Sequence, residues 1–196
     1  MSVAVITRLG RMVRWEPGTP ERLQRAALEL FATRGYEETT AAEIAQAVGL
    51  TERTFFRHFK DKREALFHGQ DLLEKAFLEG VAAAPEQASP LEMVSAALRA
   101  VSSSFPDERR SLSRTRQDVI DRNPALQERE RHKLASLAAT IAEALRARGV
   151  GEPAATLAAQ SGITVFGVAF LRWIDEERPL DAIMQDVLGE LRTVLR

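Results

Sequence analysis

No cysteine occurs among the 196 residues, which excludes disulfides, thiolate catalysis and Cys-ligated zinc. The absence suits a reducing cytoplasm. Histidine is nearly as scarce, with only His58, His68 and His132. No two of them are spaced like ligands on one helical turn, so neither a metal nor another cofactor is expected. There is no Gly-rich phosphate loop and no Ser-His-Asp order. No run of β-branched residues alternates with polar ones, which leaves an all-α chain. Residues 1–7 are too short for a signal-peptide core. The segment 156–171 lacks charge but contains Gln160, Ser161 and Thr164, and it falls short of the ~20 apolar residues of a membrane span. It is expected to be a helix buried inside protein, with no membrane partner.

Net charge is also nearly absent, at −1, but it is unevenly spread. Residues 50–66 carry Arg53, Arg57, Lys60, Lys62 and Arg63 against Glu52, Asp61 and Glu64, and residues 1–18 carry Arg8, Arg11 and Arg14 against Glu16. Local clustering matters more than total charge for phosphate contact.

The start and stop signals divide the chain into nine predicted helices. Thr19 and Pro20 open the first, whose apolar face is Leu23, Ala26, Ala27, Leu30 and Phe31, and Gly35 ends it. Thr40 and Glu43 form a capping box for the second. Gly49 makes a turn, and Thr51 caps the third. Asp61 and Glu64 read as another capping box, opening a fourth helix that runs to about Ala84. The fifth starts at Ser89, the sixth at Asp107 and the seventh at Pro124. Pro153 opens the eighth. Pro179 opens the ninth, whose stripe is Leu180, Ile183, Val187, Leu188, Leu191 and Leu195.

Within this series, residues 40–66 stand out. Ala45 and Gly49 let two short helices cross closely, Ile44, Val48 and Phe55 supply the apolar contact, and the second short helix presents Arg53, Thr54, Arg57 and His58. That is the layout of a helix-turn-helix whose second helix reads the major groove. The ordered pattern over residues 19–66 resembles the TetR family of transcriptional regulators. It comprises Leu30, Phe31 and Gly35, then Thr40, Ile44, Ala45 and Gly49, then Phe55 to Phe59, then Lys62. Phe56 stands where the family commonly has Tyr. Without a hydroxyl it cannot donate to phosphate, so it is expected to pack.

The resemblance implies a three-helix DNA-binding domain at 19–66 on a six-helix ligand-binding and dimerisation body at 67–196, preceded by a tail at 1–18. The DNA-binding residues expected are Thr40, Thr51, Glu52, Arg53, Thr54, Arg57, His58 and Lys62. Thr40 also caps its helix, and Lys62 resembles the family's phosphate-binding lysine. The resemblance further implies an effector cavity in the body. Phe105, Arg114, Gln117, Gln160, Thr164, Phe166, Phe170 and Trp173 are its candidate lining, with an unidentified small molecule as ligand. One recognition helix contacts too little sequence for useful specificity, so a homodimer on a palindromic double-stranded operator is expected. Ile183, Val187 and Leu191 are the candidate dimer contacts. The competing readings are a small helical enzyme or a ligand-binding module that kept the fold without DNA binding. The basic cluster 53–63 speaks against the second.

Overall fold

The capping chemistry recurs largely where the residues place it. In the computed structural model, which describes residues 18–194, Thr40 Oγ accepts the Glu43 N–H at 3.2 Å and Glu43 returns the bond to the Thr40 N–H at 2.9 Å. Ser89 and Glu92 do the same at 3.4 and 2.7 Å. The described residues form ten α-helices: α1 (Thr19–Arg34), α2 (Ala41–Ala47), α3 (Glu52–His58), α4 (Lys62–Leu66), α5 (Gln70–Ala83), α6 (Pro90–Ser102), α7 (Arg110–Asp121), α8 (Pro124–Ala147), α9 (Ala154–Asp175) and α10 (Leu180–Val194). A 3₁₀ turn at Asp107–Arg109 leads into α7.

Three local expectations are corrected. The predicted fourth helix is two, because Gly69 adopts a left-handed conformation (φ 90°) that L side chains rarely take and that ends one helix and starts the next. The Asp61–Glu64 capping box is half made. Asp61 accepts the Arg63 and Glu64 N–H groups at 2.9 and 3.1 Å, while the Glu64 side chain turns away to α8. Thr19 lies in the first turn of α1 rather than capping it; Gly18 takes the cap position without a side-chain bond.

Two apolar cores result. The first holds α1 to α4 together through Leu23, Ala27, Phe31, Ile44, Ala45, Phe55, Phe59 and Leu66. It also takes in Phe67, Val119 and Ile120 of α7, and Leu126 of α8. The head and the body are therefore packed on shared side chains. The second core fills the body between α5, α6, α8, α9 and α10, with Trp173, Phe77, Leu98 and Leu145 almost wholly buried. Each large apolar side chain so buried contributes about 1.5–3 kcal/mol.

A charged latch joins the head to the body beside the shared core. Glu64 of α4 accepts from Arg129 at 2.7 and 3.1 Å and from Lys133 at 3.2 Å. Arg116 of α7 donates to the Leu66 carbonyl at 3.3 Å and to Glu130 at 2.9 Å. The Arg116 and Lys133 cations lie 5.1 and 5.4 Å from the centre of the Phe67 ring. Burial tends to raise the pKa of Glu64, but the hydrogen bonds and charges of Arg129 and Lys133 outweigh it and hold the carboxyl below the usual carboxylate range.

Two tests follow from this packing. A Cβ at Gly80 of α5 meets the Ala97 Cα of α6 at 2.4 Å and the Ala96 carbonyl oxygen at 2.9 Å, both backbone atoms that cannot step aside. Gly80→Ala is expected to lose at least 1–3 kcal/mol, roughly the cost of overpacking a core, in urea unfolding. Glu64, with its depressed folded pKa, adds stability that is fully present above its unfolded pKa of about 4.3 and is lost as the pH falls through the lower folded value. Glu64→Gln is therefore expected to cost about 1–2 kcal/mol at neutral pH and to flatten the acid loss of stability below about pH 4.3. Urea titrations across pH measure both effects.

Candidate nucleic-acid interface

The α2–α3 turn is held from both sides. The Leu50 N–H bonds the Ala45 carbonyl at 2.9 Å, Gly49 takes φ 72°, and Arg22 of α1 donates to the Val48 carbonyl at 2.7 Å. Beneath α3, Phe55 is fully buried and Phe59 nearly so, with ring centres 5.4 Å apart. This anchorage turns Glu52, Arg53, Phe56, Arg57 and His58 outward to solvent. Thr51 caps α3 by accepting the Thr54 N–H at 3.3 Å, and its hydroxyl lies 3.0 Å from that of Thr54. Thr40, at the start of α2, is exposed on its capping box.

The cations of the head divide into engaged and free. Arg34 is paired with Glu43 at 3.2 Å and Arg63 with Asp61 at 2.8 Å. Arg53, Arg57 and Lys60 are exposed and have no ion-pair partner among the described residues, so their charge is available to a polyanion. Arg53, Thr54, Phe56 and Arg57 line one open surface hollow of about 610 Å³. Arg8, Arg11 and Arg14 of the expected basic arm lie outside the described residues.

Lys62 requires a correction. Its ammonium donates to the carbonyls of Tyr36 at 2.7 Å, Thr39 at 3.0 Å and Glu37 at 3.2 Å, and it sits 4.3 Å from the centre of the Tyr36 ring. An ammonium has three N–H donors, so none is left for a phosphate. Burial pushes the Tyr36 phenol up to about 12, so that ring stays neutral under the cation. Phe56 is corrected in the other direction. It does not pack inside, being 52% exposed on the outer face of α3.

In the body, Phe105, Phe166, Phe170 and Trp173 do come together, with ring centres 5.7–5.9 Å apart. Phe77 joins them, 5.8 Å from Phe166. The polar residues proposed with them go elsewhere. Gln160 and Thr164 lie on the exposed face of α9, because the helical period puts them in register with Leu157, Val168 and Leu171. Gln117 bonds Asp121 along α7 at 2.8 Å. Arg114 donates to the Ile174 carbonyl and lies 3.8 Å from Asp175, with its side chain half exposed.

The proposed dimer contacts also divide. Ile183 is completely buried in its own chain's core; Val187 and Leu191 are half-buried against the same core. On α9, Leu157, Val168 and Leu171 point outward instead, 63%, 46% and 48% exposed, as does Val194 at the end of α10. The helix expected to be buried is thus buried on one face only.

Two short helices joined by the Gly49 turn, the second anchored by Phe55 and Phe59 and carrying two unpaired guanidinium groups outward, form a helix-turn-helix of the DNA-binding class. Residues 23–68 match the family model of bacterial regulatory proteins, tetR family, and residues 88–196 match that of the MftR C-terminal domain. The chain belongs to the TetR family of bacterial transcriptional regulators. It is 45% identical over 83 residues to the HTH-type transcriptional regulator TcmR of Streptomyces glaucescens, a match covering 42% of this chain and 37% of that protein. It is 26% identical over 170 residues, 85% of each chain, to the Putative mycofactocin biosynthesis transcriptional regulator MftR of Mycobacterium tuberculosis. Among solved structures, the TetR-family repressor FadR of Thermus thermophilus in complex with lauroyl-CoA is similar at 26% identity and a TM-score of 0.51, covering 87% of this chain and 91% of that one. A regulator of the family from Syntrophomonas wolfei, 15% identical over 89% of this chain and 93% of its own, shares the fold at a TM-score of 0.61.

The different fates of Arg57 and Lys62 are separable by experiment. Arg57→Ala is expected to weaken DNA binding while changing stability by no more than ~0.5 kcal/mol, as exposed substitutions do. Lys62→Met keeps the apolar stem but strands three carbonyls, and is expected to cost about 1.5–3 kcal/mol. Thermal unfolding beside DNA titration of both variants checks the contrast; equal stability of the two would refute the clamp.

Proposed function

We propose that this chain is a ligand-responsive transcriptional repressor that binds a palindromic operator as a homodimer and is released by a small-molecule effector. The observation that carries the reading is the outward face of α3, where Arg53 and Arg57 stand unpaired above the buried Phe55 and Phe59. Arginine is the commonest bidentate partner of guanine in the major groove. The capping residues Thr40 and Thr51 stand at the first turns of α2 and α3, where free backbone amides favour a phosphate, and Glu52, Thr54 and His58 complete the face.

The second copy is assigned to the outer side of α9. By length and composition α9 could cross a membrane, yet only 33% of its most apolar window is buried in its own chain. Leu157, Val168 and Leu171 thus form an apolar strip broken by Gln160 and Thr164, the mixture expected of an interface between folded protomers. With the α10 residues Val187 and Leu191 at its flank, the strip suits a four-helix bundle of α9 and α10 from two chains.

The aromatic cluster around Phe105 and Trp173 supports an effector with an apolar body. The lauroyl-CoA bound by the similar FadR favours a ligand with an acyl chain. Release requires the effector to bind more tightly to a state whose two heads no longer match the half-sites. The Glu64 latch and the shared core are the contacts through which the body acts on the head. The chain acts in the cytoplasm as a binding protein and not as an enzyme.

Light scattering at micromolar concentration, combined with DNA titration, tests this reading. Two 21.8 kDa chains per particle are expected, and log K for a selected operator should fall against log salt with a slope of about −5 to −7 for ~6–8 neutralised phosphates. Val168→Glu with Leu171→Glu is expected to yield monomers that lose operator binding. A monomeric parent protein, or a variant that remains dimeric, would overturn the α9 interface.

A further inference from the structure

Phe56 is the exception on the face just described. Its neighbours Glu52, Arg53, Arg57, His58 and Lys60 are all polar and exposed, and yet this phenylalanine is itself 52% exposed. It is also held in place. Its ring meets the fully buried Phe55 ring edge to face, with centres 5.5 Å apart and planes at 86°. Together with Arg53, Thr54 and Arg57 it lines the open hollow on the outer side of α3. No other described side chain shields its exposed side, and a phenyl group can neither donate to nor accept from a phosphate.

We propose that Phe56 is a specificity-determining residue that reads the C5-methyl group of a thymine in each operator half-site. The inference rests on the assignment of the α3 face to the major groove. Of the groups exposed on the floor of that groove, the thymine methyl is the one apolar group that projects from a base; apart from the small cytosine C5–H, the rest are hydrogen-bond donors and acceptors. Phe56 follows Arg53 by one helical turn and adjoins Arg57, and all three line the same hollow, so the ring presents an apolar group on the face that carries the two guanidinium groups. Arg53 and Arg57 supply affinity and orientation. Phe56 adds a preference that depends on one methyl group and on no hydrogen bond.

The test begins with operator duplexes selected from a random-sequence pool by the full-length protein. Each thymine of the selected half-site is then replaced by deoxyuridine, which removes the methyl and leaves base pairing unchanged. The expected result is one position, present in both half-sites, where the replacement weakens binding about fourfold per half-site, the worth of one buried carbon. Phe56→Ala should bind the parent and the deoxyuridine duplexes at that position equally, while Phe56→Leu, which keeps an apolar contact, should retain most of the discrimination. Because the residue is half exposed, both variants are expected to melt near the parent, which circular dichroism checks. The scan on the unmodified protein needs no variant: if no deoxyuridine position changes its affinity, the proposal is wrong while the DNA face stands. The proposal is equally overturned if Phe56→Ala keeps the parent's methyl sensitivity. If the selection yields no operator at all, the assignment of the α3 face fails, and this inference fails with it.

Discussion

The ammonium of Lys62 ends on the carbonyls of Tyr36, Glu37 and Thr39, the stretch that connects α1 to α2. Gly35 terminates α1, and the carbonyls that follow lie outside any helix, where they need partners of another kind. One cation at the start of α4 supplies three of those bonds. Thr39, almost wholly buried, adds a fourth by donating to the Gly35 carbonyl at 2.8 Å. This ties the first and last helices of the head to the same loop, so α2 and α3 are carried between fixed ends. The direction in which α3 faces depends on that closure. The body uses the same device, since Arg148, at the end of α8, donates to the Val81, Ala82, Ala84 and Pro85 carbonyls where α5 ends.

The head is not an independent bead on the body. Phe67 follows α4, and its ring is packed in the head's core with Val119, Ile120 and Leu126 while two body cations lie against it. Glu64 adds a carboxylate bound by two α8 side chains. A rearrangement of α7 and α8 therefore reaches α4 through packed side chains and charge-assisted bonds. It reaches α3 through the same apolar core that holds Phe55. This is a physical basis for coupling two distant sites by a two-state shift, in keeping with a ligand-responsive regulator.

The long helix α9 serves two environments. Its inner face carries Ile163, Phe166, Ala169 and Trp173 into the core; its outer face keeps Leu157, Val168 and Leu171 at the surface. Gly162 permits the inner approach, because a Cβ there meets Val94 Cγ1 at 2.7 Å. Apolarity around most of the circumference is thus consistent with a helix inserted between its own body and another surface.

Much of this was legible in the order of residues. The caps at Thr40, Thr51 and Ser89, the turn at Gly49, and the anchoring of Phe55 are local matters, settled by side chains within a few positions of the backbone they bind. Together with the motif from Leu30 to Lys62 they determined an all-α helix-turn-helix regulator. What the chain order left open depends on partners far along it. Lys62 looked like a free cation because Tyr36 and Thr39 are more than twenty positions away. Ile183 looked like an interface residue because an apolar stripe does not say which of two apolar surfaces will cover it. Gln160 and Thr164 seemed to line a cavity that their own helix turns them away from, and Phe56 seemed a core residue until the packing of its neighbour left it outside. Periodicity and capping write the helices into the sequence, but the destination of a charge or an apolar face is decided only when the helices are packed together.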